Sequence, residues 1–519
     1  MKRAMQALSV LLALAAWEAL GDWHLVGQGA LPSPSAIVAQ WWQDRDIYPA
    51  HIWATLQPAL IGFVAGNVIA AAAALAFMLI PALERLMRGF NIAIFGIPPI
   101  ALSPVLVITL PGQWPQIVLA AVSVYFPTMV MTLLGLQDID PRPIDVIRSY
   151  GGGRIAVLHW LRLRSCLPGL LGGLRVAAPA AILGAILAEF GSGARWGLGS
   201  FLLGSLGRGD PARIWGIGLT ATAMSAAAYG LCALLGRRAA ASVLAVTITP
   251  ARIEAQAVAR GRARTLRVLL GVGAVAMPFL IWWGVLKAFA VSPVIARTPW
   301  GVWQYLVSAP DAADARAGII QALGQSLPLA GAGLLIALAV ALVLATTGTL
   351  WRGLNAALLP AAVFLQTMPL VALAPIIVLL FGRGIATTLV VTVAVTFFPA
   401  FITIAQGLAQ VPAASLDLVS VYGASRWQKL LLVSVPMCLP YLCAAARLVA
   451  PAALLGVMIA EWLATGYGLG GVLNTARGEL DYGMIWAVAF IAVAVSVTFY
   501  QLVKLIEERL LARFRMAGG

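Results

Sequence analysis

One stretch of this chain occurs twice, in the same direction, 272 residues apart. Residues Ile144 to Glu189 align without a gap on Leu416 to Glu461: Asp145 meets Asp417, Tyr150-Gly151 meets Tyr422-Gly423, and Cys166-Leu167-Pro168 meets Cys438-Leu439-Pro440. Further on, Arg175 meets Arg447, Pro179 meets Pro451 and Glu189 meets Glu461, and 18 of the 46 positions are identical. Shared composition does not put proline, cysteine, arginine and glutamate in register, so the chain is an internal duplication. Any fold it adopts must hold two copies of one module.

The medium follows from composition. Apolar residues make up 61% of the chain and charged residues 10%, with a mean hydropathy of +0.94, whereas a soluble domain is about one quarter charged. Runs of the length that crosses a bilayer, about 17 to 25 residues, fall near 4–20, 56–80, 90–110, 116–136, 166–190 and 214–235 in the first half. In the second half they fall near 268–290, 322–347, 354–380, 385–408, 438–461 and 484–503. Backbone polar groups in lipid must be satisfied within the segment, so these runs are expected to be helices. The expectation is an all-α polytopic membrane protein of about twelve transmembrane helices in two parallel six-helix repeats. The first repeat covers 1–236, an Arg-rich linker 237–267, and the second repeat 268–519. Met1-Lys2-Arg3 ahead of a short apolar run has the form of a signal peptide. The corresponding run at 268–290, however, sits mid-chain behind Arg260, Arg262, Arg264 and Arg267, so the first run is read as a retained helix.

An even number of spans per repeat inserts both halves the same way round. Most of the 34 basic residues fall in the termini, the linker and the two loops of the 137–165 type, which the positive-inside rule assigns to the cytoplasm. The net charge of +15 is then mostly topology. The linker lacks the interleaved aromatics of a single-strand nucleic-acid binder, although it has the charge to touch anionic lipid. Cys166, Cys232, Cys438 and Cys443 lie in or beside apolar runs, as small hydrophobes do, without disulfide or zinc spacing. His24, His51 and His159 are scattered, and no metal site is expected.

The best-marked segment of each copy is the loop after its fourth run. In the first copy Asp140-Pro141-Arg142-Pro143 opens a short helix that reaches Tyr150 and stops at Gly151-Gly152-Gly153; in the second it runs from Val411-Pro412 to Tyr422 and stops at Gly423-Ala424-Ser425. Proline at an early position and glycine at the C-terminal cap are the usual punctuation of a helix. Ile144, Val146, Ile147 and Tyr150, and likewise Leu416, Leu418, Val419 and Tyr422, give it an apolar side. Such a helix outside the membrane must dock on the protein's own membrane domain or on a partner. Two equivalent knobs on one face suit a partner that is itself a twofold dimer.

At these residues the chain resembles the permeases of ABC importers, specifically the nitrate/sulfonate/taurine type. The pattern of Asp, five residues, Gly, then Leu-Pro, Arg and Ala-Glu is similar to their coupling-loop signature, with Asp145 and Asp417 where the family usually has Glu. Val146-Ile147 and Leu418-Val419 replace alanines, and Ala424 follows the family where the first copy has Gly152. Leu31-Pro32-Ser33-Pro34-Ser35, the segments Pro98 to Pro104 and Met368 to Pro375, and Glu189 with Gly197-Leu198-Gly199 beside Glu461 with Gly468-Leu469-Gly470 resemble further motifs of that group. The resemblance implies a type I importer permease fold, here a dimer fused in one chain. It also implies that Asp145, Val146, Ile147, Tyr150 and Gly151, with Asp417, Leu418, Val419, Tyr422, Gly423 and Ala424, couple to an ABC ATPase homodimer. A periplasmic or lipid-anchored binding protein would deliver the solute. This chain has no P-loop, which needs Gly-Lys-Ser/Thr, since Lys2, Lys287, Lys429 and Lys504 never follow glycine. It is therefore not an enzyme, and ATP and Mg belong to the partner. A bacterial inner membrane with both termini cytoplasmic is the implied location, and a small oxyanion or sulfonate (nitrate, sulfonate, taurine, bicarbonate) or a heteroaromatic vitamin precursor the implied solute.

Prolines in the third and ninth runs free backbone carbonyls in mid-membrane, tolerable only beside protein or water. Pro98, Pro99, Ser103 and Pro104, with Pro369 and Pro375, are thus candidates for the solute route; Gln366 and Thr367 add polarity where the first copy has Phe95 and Gly96. Arg175, Glu189, Arg447 and Glu461 are charges within spans. They either line the passage or snorkel to opposite interfaces and anchor their helices. Pro179 and Pro451 between them are expected to kink those helices. Trp41-Trp42 and Trp282-Trp283 read as interfacial belt residues. The rival reading, an ion-coupled secondary transporter of twelve helices, needs a titratable group at mid-span, and the spacing provides none.

Overall fold

The computed structural model describes residues 11, 14–23, 29–137, 139–240, 263–289, 291–351 and 370–513. Among these residues every regular element is helical. In the first repeat residues 14–22 are helical and lead to α1 (Pro34–Gln43), α2 (Tyr48–Leu79), α3 (Pro81–Gly96), α4 (Pro99–Thr109), α5 (Trp114–Gln137), α6 (Pro141–Ser149), α7 (Leu167–Ser192), α8 (Leu198–Arg208) and α9 (Pro211–Ala240). The second repeat comprises α10 (Ala263–Ala288), α11 (Pro299–Val307), α12 (Ala312–Leu350), α13 (Leu370–Phe381), α14 (Ile385–Ala409), α15 (Ala413–Val421), α16 (Leu439–Ala460), α17 (Gly468–Gly478) and α18 (Tyr482–Arg513).

Nine of the described helices are long and apolar enough to cross a membrane. The pair α3 and α4 passes the same test only when taken together, and the two helices are bent by 97° to one another. Each expected run thus coincides with one of these helices, with this pair, with residues 14–22, or with α13. The rest of the 4–20 run, residues 241–262 of the linker and residues 352–369 lie outside the described residues.

The run near 90–110 is therefore broken, and the break begins locally. A residue before proline is pushed out of the helical region, and here two such residues follow one another. Ile97 before Pro98 has φ −65° and ψ 117°, Pro98 before Pro99 has φ −67° and ψ 116°, and α4 restarts with Pro99 at its first position, where the missing N–H costs nothing. By contrast α7 and α16 continue through Pro179 and Pro451.

Within each repeat the fifth span is the hub: α7 packs on α2, α5 and α9, and α16 on α12, α14 and α18. Membrane helices approach closely through small residues. A Cβ on Gly184 of α7 would lie 2.8 Å from the Leu119 carbonyl oxygen, and one on the equivalent Gly456 of α16 would lie 2.8 Å from Thr392 Cα. Tryptophans repeat as well. Trp215 packs on Trp17 with ring centroids 5.3 Å apart and donates to the Ala30 carbonyl, while Trp486 stacks on Trp282 at 5.4 Å and donates to the Ile295 carbonyl. Trp282 is therefore half-buried in a stack, whereas its neighbour Trp283 is exposed as a belt residue is.

The repeats interlock by exchanging short helices. α4 leans on α7 of its own repeat and reaches α16, α17 and α18 of the other; α13 in turn reaches α7, α8 and α9 of the first. α10 lies along α3, where the Gly89 backbone meets Ala274 so closely that a Cβ has no room.

In the turn between α1 and α2, Asp44 accepts a two-pronged bond from Arg213 of α9, with Nε at 2.6 Å and Nη2 at 2.8 Å. Burial by itself pushes the Asp44 carboxyl up, but the bonds from Arg213 and Gln40 and the nearby positive charge outweigh it and hold the pKa below the ordinary value. A carboxylate depressed in the folded state contributes stability that is complete above its unfolded pKa, about 3.9, and that disappears as pH falls through the folded value. Asp44→Asn is expected to cost about 2 kcal/mol at neutral pH. Melting curves in detergent across pH 3 to 7 should show the wild type converging on the variant at the acid end.

Candidate functional site

The two loops picked out by the duplication fold alike. Asp140 caps α6 by accepting from the Arg142 N–H at 2.9 Å. α6 ends at Gly151 with φ +79° and α15 ends at Gly423 with φ +77°, a left-handed position that only glycine takes without strain. Behind Gly151 a Cβ on Gly152 would come within 2.5 Å of Ile147 Cγ2. In the second copy the Ala424 N–H donates to the Val419 carbonyl at 3.1 Å, as the Gly152 N–H does to the Ile147 carbonyl at 2.9 Å.

Burial divides the apolar side of each helix in the same way. Ile144 and Ile147, and Leu416 and Val419, are half-buried, while Val146 and Leu418 are exposed. Tyr150 and Tyr422 are 89% and 85% exposed, and Asp145 and Asp417 are open too. Docking on the protein's own body accounts for the first four residues. A second apolar face, aliphatic residue plus tyrosine, stays uncovered in both copies. Each loop then enters its membrane helix through a π-helical turn, Leu158–Arg162 in one copy and Leu430–Ser434 in the other. Such turns recur at functional sites.

At the other end of the 26-residue α7, about 39 Å away at 1.5 Å per residue, lies a second duplicated device. Glu189 is 1% exposed and Glu461 2%, which corrects the snorkelling reading for both. Glu189 Oε1 accepts from the Thr55 hydroxyl at 2.6 Å, and its Oε2 accepts from the Gly199 N–H at 2.6 Å. The Leu198 N–H in turn donates to Thr55 Oγ1 at 2.8 Å. In the second repeat Ser326 and Gly470 donate to Glu461 at 2.6 and 2.9 Å, and the Leu469 N–H donates to Ser326 Oγ at 2.9 Å. Each carboxylate clasps the Gly-Leu-Gly start of the next helix to its own span and to the repeat's second span. Gly197 and Gly468 have φ of +138° and +74°, and a Cβ on either would fall on the glutamate. Only the outermost contact differs. His51 Nδ1 lies 2.8 Å from the Gly197 carbonyl oxygen and 3.1 Å from its nitrogen, so one tautomer donates and the other accepts; in the second copy the Gly468 N–H donates to Gln325 Oε1 at 2.8 Å.

The arginines part company. Arg175 lies over the Tyr229 ring, 4.3 Å from its centroid, while Arg447 pairs with Glu507 of α18 at 2.9 Å. Of the candidates for the solute route, Pro98, Ser103, Pro104 and Pro375 are buried and Pro99 is half-buried. The Ser103 hydroxyl is used by the Leu187 carbonyl at 2.9 Å. Gln366, Thr367 and Pro369 lie outside the described residues. Two residues that pattern reading passed over are Ser225 and Ser496, 271 residues apart on α9 and α18. Both are fully buried, with hydroxyls that have no protein partner among the described residues. These are the helices that meet α13 and α4 of the opposite repeat. Two isolated serines in apolar helices leave no mark in a sequence without the 271-residue comparison.

Fold and sites together define a polytopic helical membrane protein made of two interlocked copies of one module, each with an exposed loop at one end and a carboxylate clasp at the other. The chain belongs to the family described as binding-protein-dependent transport system inner membrane component, matched over residues 66–241 and again over 337–515. Among its relatives is the riboflavin transport system permease protein RibX of Chloroflexus aurantiacus, 34% identical over 163 residues, which are 31% of this chain and 60% of the relative. A probable ABC transporter permease protein of Haemophilus influenzae is 32% identical over 32% of this chain and 69% of its own length. The formylaminopyrimidine transport permease protein ThiX of Halalkalibacterium halodurans is 33% identical over 30% of this chain and 62% of its own. The chain thus spans less than two thirds of the length of RibX and of ThiX, while its own length holds two such modules.

Proposed function

We propose that this chain forms the solute passage of an ATP-driven ABC importer, with residues 1–236 and 268–519 as the two permease modules and 237–267 as the linker. The observation that carries this reading is the pair of loops, alike in helix, glycine stop and uncovered tyrosine face, on two copies of an importer-permease module. An ABC ATPase homodimer would receive α6 and α15 in its two equivalent grooves and bind the ATP and Mg. A periplasmic or lipid-anchored binding protein would load the passage from the clasp end. Both termini would then be cytoplasmic and the membrane a bacterial inner membrane. Relatives named for riboflavin, formylaminopyrimidine, aliphatic sulfonates and taurine support a small oxyanion or sulfonate, or a heteroaromatic vitamin precursor, as solute. In the cycle, closure of the ATPase dimer would draw the two loops together, and α7 and α16 would carry that movement to the clasps.

The test is uptake by proteoliposomes holding this chain and its ATPase, with binding protein outside and ATP inside. Uptake that requires ATP and the binding protein, and that survives a protonophore, is the expected result. Uptake driven by a proton or sodium gradient without ATP would reject the proposal.

A further inference from the structure

Among the described residues, Arg477 is a cation at the seam between the repeats without a basic counterpart in the other copy. Arg477 lies near the end of α17, and in the register that pairs Gly199 with Gly470 its partner in α8 is Leu206. Its Nε–H donates across the seam to the carbonyl of Gly191, in the last turn of α7, at 3.1 Å. The Trp462 ring lies beneath the guanidinium, with its centroid 6.0 Å away. No carboxylate stands within ion-pair distance of it among the described residues, and burial pulls its pKa below the ordinary value. A guanidinium has five donors in a flat fork, and the bond to Gly191 uses one. Arg477 is only half-buried, and neither of its Nη nitrogens bonds to a protein group in the contacts of the described residues. The surroundings place it beside the bent span, because a Cβ on Gly191 would lie 2.8 Å from Ser103 Oγ of α4.

We propose that Arg477 reads an anionic group on the solute at the clasp end of the passage. The Gly191 carbonyl and the Trp462 ring fix the plane of the fork, and the free Nη edge takes two oxygens of a carboxylate, sulfonate or similar oxyanion, the geometry in which arginine surpasses lysine. This inference rests on the importer reading and narrows it: of the solute classes left open above, the anionic one is selected. A single arginine in a twofold frame also gives the passage a polarity, so the solute's charged end is held by the second repeat and its remainder by the first.

Two measurements separate this inference from the reading beneath it. Purified chain in detergent is treated with phenylglyoxal, and modification of Arg477 is followed by mass spectrometry with either sodium ethanesulfonate or sodium chloride at equal ionic strength. Ethanesulfonate is expected to slow modification of Arg477 at least threefold relative to chloride and to leave exposed Arg195 unaffected. An unreactive Arg477, or equal rates in the two salts, would overturn the inference whatever the transport result. In the proteoliposome assay, probed with ethanesulfonate, taurine and riboflavin, a sulfonate is expected to be carried, with Arg477→Gln lowering its uptake at least tenfold and Arg477→Lys by less. Transport of riboflavin alone, or equal sulfonate uptake by Arg477→Gln, would overturn the inference while leaving the importer reading in place. Loss of ATP dependence with Arg477 still protected by ethanesulfonate would overturn the importer reading instead.

Discussion

Glu189→Ala is expected to destabilise the folded chain by about 4 kcal/mol, and Glu461→Ala by a similar amount. Each substitution removes the acceptor of two buried donors, and a buried donor left unsatisfied costs about 1 to 3 kcal/mol. The donors are the Thr55 hydroxyl and the Gly199 N–H in one repeat, and the Ser326 hydroxyl and the Gly470 N–H in the other. Glutamine in the same place keeps one acceptor oxygen and the shape, so Glu189→Gln should cost only about 1 kcal/mol. Gly197→Ala and Gly468→Ala should resemble the glutamate truncations, because the new Cβ meets the carboxylate and takes a left-handed φ. Melting temperature and monodisperse yield in detergent should therefore fall in the order wild type, Gln, Ala at both positions. Alanine variants that melt with the wild type would show that the clasps do not hold the ends of α7 and α16.

The second large effect is expected at the opposite end. Tyr150 and Tyr422 are almost entirely exposed, so truncating either should leave the fold within about 0.5 kcal/mol. As aromatic anchors of a docked loop they should each be worth about 2 kcal/mol of ATPase binding, close to a 30-fold loss in affinity. If both loops dock on one ATPase dimer, the second contact is intramolecular, and the double variant Tyr150→Ala/Tyr422→Ala should lose about a thousandfold. The loops are not equal in charge, however. α6 carries Arg142 and Arg148 where α15 has only Asp417 as a charged residue. Exposed charges are screened by salt, so raising ionic strength should weaken the Tyr422→Ala variant, which depends on α6, more than Tyr150→Ala.

What could be read from the chain alone follows from the range of each interaction. The duplication, the runs and the loop punctuation are written in neighbouring residues, and the helices, the glycine stops at 151 and 423 and the paired loops are found where those residues put them. The double proline at 98 and 99 marked the break, but the size of the bend, 97°, also reflects what α4 packs against, α7 of its own repeat and three helices of the other. Glu189 and Glu461 stood out as charges in apolar spans, yet their partners Thr55 and Ser326 lie 134 and 135 residues away. Those partners are small hydroxyl residues of the kind found in any membrane helix. The alignment also hid them: the loops pair at a spacing of 272, but Thr55 with Ser326 and Gly199 with Gly470 pair at 271. Two shifts make the difference: between Ser326 and Leu416 the second repeat is one residue longer than the first is between Thr55 and Ile144, and between Glu461 and Gly468 it is one residue shorter and turns π-helical over Glu461–Thr465, so the same clasp closes with a different turn.

The measurement that bears most directly on the central claim is the mass of the assembled complex. The tagged chain is expressed with its candidate ATPase, purified in detergent and weighed by native mass spectrometry, with Gly151 and Gly423 each changed to a bulky residue in parallel. One chain with two ATPase subunits, with subunits lost from either variant, is the predicted result. A chain that purifies free of ATPase, or that binds the ATPase equally well when both glycines are replaced, would contradict it.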